Sequence, residues 1–140
     1  VNGPFLMARA AVPKMLASGW GRIVNISMNY ETMSRRGFSP YGPSKAALES
    51  ETIIWARDLA GTGITVNALL PGGASLTGMI PSGAAESVRA SLLDPEIMVA
   101  PLLWLISPAA DTVTGRRCVA NRWRDEYPAA AFMDAGWPCK

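Results

Sequence analysis

The stretch YGPSKAALESETIIWARDLAGTGITVNALL, residues 41–70, decides the fold. Residues 41–60 form an apolar helical run that ends at Gly61, where a glycine is typical of a helix C-terminus. Residues 64–70 are then apolar almost without interruption, which is typical of a strand in a parallel sheet that is covered on both faces. We therefore predict a helix that crosses over to a buried parallel strand.

The flanking sequence continues this alternation. We predict a helix over Gly3–Ser18, bent at Pro13, and a strand over Arg22–Met28. The helix is apolar on nearly every side and is expected to be buried on more than one face. The strand is expected to be central and covered on both sides. Further segments are predicted as a loop with a short helix at 87–93, a helix at 96–107 and a last strand at Thr112–Ala120. Helices alternating with strands indicate a parallel sheet with crossover helices.

Composition excludes several classes of function. A net charge of +2 is too small to indicate nucleic-acid binding, and no apolar run reaches the length of a membrane span. We expect a cytoplasmic protein in which Cys118 and Cys139 are reduced thiols. The absence of histidine removes the commonest general base and metal ligand, so no metal site is predicted.

Tyr41 and Lys45 form the candidate catalytic pair. Residues four apart on a helix lie on the same face, about 5–6 Å from each other. A free phenol has a pKa of about 10, and a neighbouring ammonium favours the phenolate and lowers such a pKa. The pair therefore suits proton transfer to or from an alcohol or carbonyl oxygen. The alternative is a packed aromatic ring beside a solvated amine.

Four short motifs occur in an order that resembles a known family. They are Gly21-Arg22-Ile23-Val24-Asn25-Ile26-Ser27, Tyr41-x-x-x-Lys45-Ala46-Ala47, Val66-Asn67 leading to Pro71-Gly72, and Val113-Thr114-Gly115. Together they resemble the C-terminal half of a short-chain dehydrogenase/reductase. The resemblance implies an α/β fold, the C-terminal half of a Rossmann-like doubly wound parallel sheet whose N-terminal dinucleotide half is missing. Residues 1–120 would form this partial domain and residues 121–140 a C-terminal tail.

The resemblance also implies hydride transfer between an alcohol and a carbonyl, with NAD or NADP as cofactor. Tyr41 would be the acid or base, and Lys45 would lower the pKa of the tyrosine and hold the ribose hydroxyls of the nicotinamide. The partner would be a small alcohol or carbonyl substrate. The full-length parent would be a homo-oligomer.

Residues after the strand at 64–70 are implied to complete the cofactor site. Pro71, Gly72 and Gly73 would form a wall beside the nicotinamide ring. Thr77 matches a threonine that bonds the carboxamide, one residue later than is usual in the family. A plain loop hydroxyl is the alternative for Thr77.

The chain departs from the family at its catalytic serine. That serine is expected thirteen residues before Tyr41, where this chain has Met28. A thioether cannot donate a hydrogen bond to a substrate oxygen. Ser27 could replace it only if the strand end is bent, since adjacent side chains on a strand point to opposite faces. Asn29 and Thr32 are the other candidates.

The chain also lacks the glycine-rich phosphate loop of a dinucleotide-binding fold, so the sequence favours neither NAD nor NADP. It begins with Val1 rather than methionine, which is typical of a fragment. We expect such a fragment to be inactive alone. The alternatives are a non-catalytic interaction or oligomerisation protein derived from the family, and a degraded gene product.

Four arginines near the C-terminus form a basic cluster. They are Arg116, Arg117, Arg122 and Arg124. The favoured interpretation is a solvated strand end, and the alternative is contact with a phosphate or an acidic partner.

Overall fold

Four strands form one sheet within residues 1–134, the part of the chain that this computed structural model describes. The helices and strands are α1 (Asn2–Ser18), β1 (Gly21–Ile26), α2 (Tyr30–Met33), α3 (Tyr41–Asp58), β2 (Ile64–Leu70), α4 (Glu86–Ala90), α5 (Val99–Leu105), β3 (Arg116–Val119) and β4 (Phe132–Asp134). Short 3₁₀ turns lie at Pro95–Met98, Pro108–Ala110, Ala120–Arg122 and Pro128–Ala131.

The sheet follows the chain order, β1-β2-β3-β4. The first three strands are parallel, and β4 runs antiparallel to β3. Every residue of β2 is buried, as predicted for a strand covered on both faces. The predicted α/β class with a mainly parallel sheet is therefore confirmed.

The core lies between the sheet and α5. Leu69, Leu105 and Cys118 are fully buried there. Two further aromatic rings pack against Trp104, with centroids 5.6 Å away for Trp123 and 5.4 Å away for Phe132. Rings at this separation add to the stability that burial of apolar area provides. The segment from Trp123 to Phe132 is thereby fixed onto the core.

Side chains extend the pairing of β2 and β3 before β3 begins. The Asn67 carboxamide donates to the backbone carbonyl of Val113 at 2.7 Å and accepts from the backbone N–H of Arg116 at 3.0 Å. The Thr114 hydroxyl accepts from the backbone N–H of Val66 at 3.0 Å. Because side chains supply these bonds, β3 is shorter than the predicted strand and begins at Arg116.

Two predictions about burial were wrong. No residue of α1 is buried, and several of its large apolar side chains are exposed: Phe5, Leu6, Met7 and Leu16. Within the described residues, β1 pairs only with β2, so it is an edge strand rather than a central one. Ile26 is 47% exposed. Apolar periodicity shows which faces are suited to burial, but the described part of the chain has no layer that covers them.

Element boundaries differ in further places. The helix predicted at 96–107 begins as a 3₁₀ turn and is α-helical only over Val99–Leu105, and the short helix predicted at 87–93 spans Glu86–Ala90. β1 ends at Ile26 rather than Met28, because the chain turns away to begin α2 at Tyr30. The structure adds α2 within the predicted loop and β4 within the predicted tail. Cys139 lies outside the described residues.

The buried Cys118 thiol gives a first prediction. In a Cys139→Ser variant, we expect native Cys118 to react with an aromatic disulfide roughly 1000-fold more slowly than a free cysteine. Burial raises its pKa from 9.0 to about 12, so the reactive thiolate is scarce. Release of the coloured thiol in mildly alkaline buffer measures the rate, and the same protein in urea is the control. Equal rates in both solutions would contradict a closed core at β3.

Candidate active site

Tyr41 is the first residue of α3, and a close helix contact fixes its position. A Cβ atom added to Gly42 would lie only 2.0 Å from the carbonyl oxygen of Met33, so only glycine permits α2 to pack so closely here. The backbone N–H of Gly42 also donates to the carbonyl of Phe38 at 2.6 Å. The segment after β1 is therefore folded against the beginning of α3.

Lys45 is fixed beside Tyr41 by a bond to the strand. Its ammonium donates to the backbone carbonyl of Ile26 at 2.7 Å and lies 5.6 Å from the centre of the Tyr41 ring. Partial burial lowers the pKa of Lys45 below its ordinary value. The structure thus brings the two predicted catalytic side chains together, at the C-terminal end of β1.

Ser27 is not available to replace the missing serine. It is 4% exposed, and its hydroxyl donates to the Glu49 carboxylate. A serine hydroxyl carries one proton, so this bond uses its only donor. Of the other candidates, Asn29 lines a cavity beside the strand ends, and Thr32 is half-buried in α2.

A buried ion pair supports the same strand end. Glu49 and Arg117 are 2% and 3% exposed, and Nε of Arg117 donates to Oε1 of Glu49 at 3.0 Å. The guanidinium also donates to the backbone carbonyl of Met28 and stacks on Tyr30, 3.9 Å from the ring centre. The expectation of a solvated strand end is therefore wrong for Arg117. Its charge is compensated inside the fold.

Sequence reasoning did not find the role of Glu49. The available signal was a carboxylate next to Leu48 on a helix whose apolar stripe also includes Thr52. Both of those neighbours are buried, and Thr52 accepts a bond from the Asn25 carboxamide at 2.9 Å. A charged residue in such surroundings indicates a buried partner.

The predicted cofactor wall follows β2. Gly72 has a φ of +90°, a conformation that glycine adopts without strain. Asn121 holds this turn: its backbone N–H donates to the carbonyl of Pro71 at 3.0 Å, and its carboxamide donates to the carbonyl of Gly72 at 3.1 Å. A Cβ added to Gly73 would lie 2.9 Å from the Leu93 side chain, so this turn also packs closely against the loop.

Thr77 lies apart from this turn. It is exposed, and its hydroxyl accepts from the backbone N–H of Met79 at 3.4 Å, within the same loop. Its contact with a carboxamide remains a prediction.

Among residues 1–134, no helix combines the length and apolar composition needed to cross a lipid bilayer. The same part of the chain contains no group of three or more His, Cys, Asp or Glu side chains that could hold a metal ion.

The sheet is mainly parallel, and the tyrosine–lysine pair lies at the C-terminal end of β1. Comparison with known proteins identifies the family. A family profile described as short chain dehydrogenase matches residues 1–87. The chain therefore belongs to the short-chain dehydrogenase family.

Individual relatives agree with this assignment. The chain is 37% identical over 117 residues to an uncharacterised oxidoreductase of Mycobacterium tuberculosis, covering 76% of this chain and 44% of that protein. It is 32% identical over 123 residues to the 3-oxoacyl-[acyl-carrier-protein] reductase FabG of Thermotoga maritima, covering 83% and 50%. The chain thus spans about half the length of these curated relatives.

A solved structure shares the fold. It is a candidate NAD(P)-dependent gluconate 5-dehydrogenase from Beutenbergia cavernae, with NADP bound at low occupancy. The TM-score is 0.77 at 32% identity, covering 86% of this chain and 52% of that one.

Proposed function

We propose that this chain supplies the catalytic half of an NAD(P)-dependent oxidoreductase, which transfers a hydride between a small alcohol and the corresponding carbonyl compound. Membership of the family supports the reaction class. The observation that carries the proposal is the position of Lys45, bonded to the Ile26 carbonyl and 5.6 Å from the Tyr41 ring. A phenol beside an ammonium at the end of a parallel strand can move a proton to or from a substrate oxygen.

The residues at this edge suit the nicotinamide end of the cofactor. An ammonium has three N–H donors, and Lys45 uses one of them on the Ile26 carbonyl. The others can bind ribose hydroxyls, while the backbone of Pro71, Gly72 and Gly73 offers a wall without large side chains. When bound, the nicotinamide supplies or accepts the hydride.

In the reducing direction, the Tyr41 hydroxyl donates its proton to the carbonyl oxygen of the substrate. The Lys45 ammonium stabilises the phenolate that remains, since opposite charges attract more strongly in a partly buried site. In the oxidising direction, the phenolate accepts the proton of the alcohol. Lys45 acts from a fixed position because its bond to the Ile26 carbonyl restrains the flexible side chain.

Other features of the parent protein follow from the same proposal. We propose that the parent protein is cytoplasmic and forms a homo-oligomer. Its cofactor would be NAD or NADP. The exposed apolar side chains of α1, together with a groove of about 320 Å³ lined by Phe5, Val12 and Trp55, favour association between copies. We expect the 140 residues alone to be inactive, because they span about half of the relatives' length.

A chimera tests the reaction. The first half of the Thermotoga maritima reductase is joined before Val1, and consumption of reduced nicotinamide is followed with a panel of small aldehydes, ketones and keto acids. We expect turnover that depends on Tyr41. A chimera that binds the nucleotide but turns over none of the panel would contradict the proposal.

The rival is a non-catalytic protein that uses α1 and α3 for assembly. The exposed apolar side chains of α1 favour it. Sedimentation of the chain, together with nucleotide titration of its Trp fluorescence, separates the two functions. Association without any response of either the chain or the chimera to nucleotide would favour the rival.

Met28 gives a second prediction. Replacing Met28 with serine in the chimera should raise kcat about 10-fold or more, since one correctly placed donor to a substrate oxygen contributes roughly 10²–10³ in kcat. Met28→Ala is the matched control, because it removes the thioether without adding a donor. An equal rise in both variants would show that side-chain bulk, rather than the missing hydroxyl, limits turnover.

A further inference from the structure

A polar cavity of about 220 Å³ lies beside the ends of the parallel strands. Residues that follow β1, β2 and β3 contribute to it, among them Asn29, Gly72 and Asn121. Its volume is below the roughly 300–1,000 Å³ of sites for drug-sized ligands, so its occupant is a small molecule.

Arg122 supplies a cation with strong donors available to a ligand. Its side chain is exposed and lines the cavity. Nη1 of its guanidinium donates to the Met133 thioether at 3.4 Å, and a thioether is a weak acceptor. A guanidinium presents a planar pair of N–H groups that matches a carboxylate in two parallel hydrogen bonds.

The remaining lining favours a singly charged, hydroxylated ligand. Arg117 also lines the cavity, but Glu49 already compensates its charge. Glu31 places one carboxylate on the same lining, and this carboxylate repels a doubly charged phosphate more strongly than a singly charged carboxylate. The Asn29 side chain makes no capping bond to α2, so its carboxamide can bind a hydroxyl or carbonyl oxygen.

Two backbone contacts place the cavity at the same end of β1 as the catalytic pair. Lys45 bonds the carbonyl of Ile26, the last residue of β1, and Arg117, which lines the cavity, bonds the carbonyl of Met28, two residues further along the chain. A short molecule in the cavity therefore lies at the edge of the sheet that carries the catalytic pair.

We propose that this cavity binds the carboxylate of a small hydroxy acid or keto acid, and that Arg122 determines this specificity. The role of this cavity as a substrate subsite rests on the proposed oxidoreductase function. Binding of the carboxylate does not depend on that function.

The test is an NMR titration of the 140-residue chain with sodium lactate, its neutral analogue lactamide, and inorganic phosphate. We expect lactate to shift the side-chain amide signals of Asn29 and Asn121, and lactamide to bind at least about 10-fold more weakly. Arg122→Gln should weaken lactate binding by a similar factor. Arg124→Gln is the matched control, since this neighbouring arginine is exposed and does not line the cavity.

Three results would overturn the proposal: equal binding of lactate and lactamide, tighter binding of phosphate than of lactate, or equal losses in the Arg122 and Arg124 variants. The chimera distinguishes this failure from failure of the proposed function. If the chimera is active but lactate does not bind, only the proposed carboxylate subsite is contradicted. If lactate binds but the chimera turns over no substrate, only the proposed oxidoreductase function is contradicted.

Discussion

Replacing Tyr41 with phenylalanine in the chimera is expected to lower kcat/KM by about 10²–10⁴-fold, the usual contribution of a positioned acid or base. The ring and its packing at the beginning of α3 are retained, while the proton donor is lost. Consumption of reduced nicotinamide at saturating cofactor measures the effect. Nucleotide affinity should change far less than turnover, because Lys45 and the glycine turn remain.

Tyr127→Phe is the matched control for this substitution. Tyr127 is 65% exposed and lies outside the lining of the cavity beside the strand ends. The chimera with Tyr127→Phe should retain full turnover. A loss of less than about threefold at Tyr41 would show that another group moves the proton, and the assignment of the acid and base would fail.

Replacing Glu49 with leucine is expected to destabilise the fold by about 3–5 kcal/mol, since it leaves the buried Arg117 guanidinium without its counter-charge. Arg117 is 3% exposed, so little water is available to compensate its charge. Urea unfolding, followed by circular dichroism, measures the change in free energy. Replacing both residues with leucine should restore much of the loss, because no unpaired charge then stays buried.

The ion pair between Arg22 and Asp111 provides the control. Only one partner of this pair is buried, since the Arg22 side chain is 4% exposed and the Asp111 side chain 58% exposed. Asp111→Asn keeps an acceptor oxygen beside Arg22 at a site that water reaches, so it should cost no more than about 1 kcal/mol. Comparable losses at Glu49 and Asp111 would contradict the conclusion that burial of both partners makes the first pair important.

Periodicity and spacing predicted the elements that are long and regular. The bounds of β2 and the extent of α3 follow from continuous apolar runs, and the meeting of Tyr41 with Lys45 follows from helical geometry. α2 and β4 have only four and three residues, too few for a periodic signal.

Other features depend on contacts that are distant in sequence. Glu49 and Arg117 are 68 residues apart, and α3 and β3 each carry other charged residues, so the sequence does not indicate that these two form a pair. Ser27 was a candidate donor on spacing alone, but its hydroxyl is committed to Glu49. The exposure of α1 depends on whether a neighbouring layer exists, which the composition of one helix does not reveal.

The motifs by which the family is recognised divide into two kinds. The side chains of Asn67 and Thr114 form hydrogen bonds to backbone groups and so connect two strands. None of these bonds involves Tyr41 or Lys45. A substitution at Met28, in the proposed active site, therefore need not disturb the bonds that keep the sheet in register. Some of the residues that identify a member of this family hold the sheet together, and others form the proposed active site. A member of the family can therefore keep the fold and its motifs after losing catalytic activity.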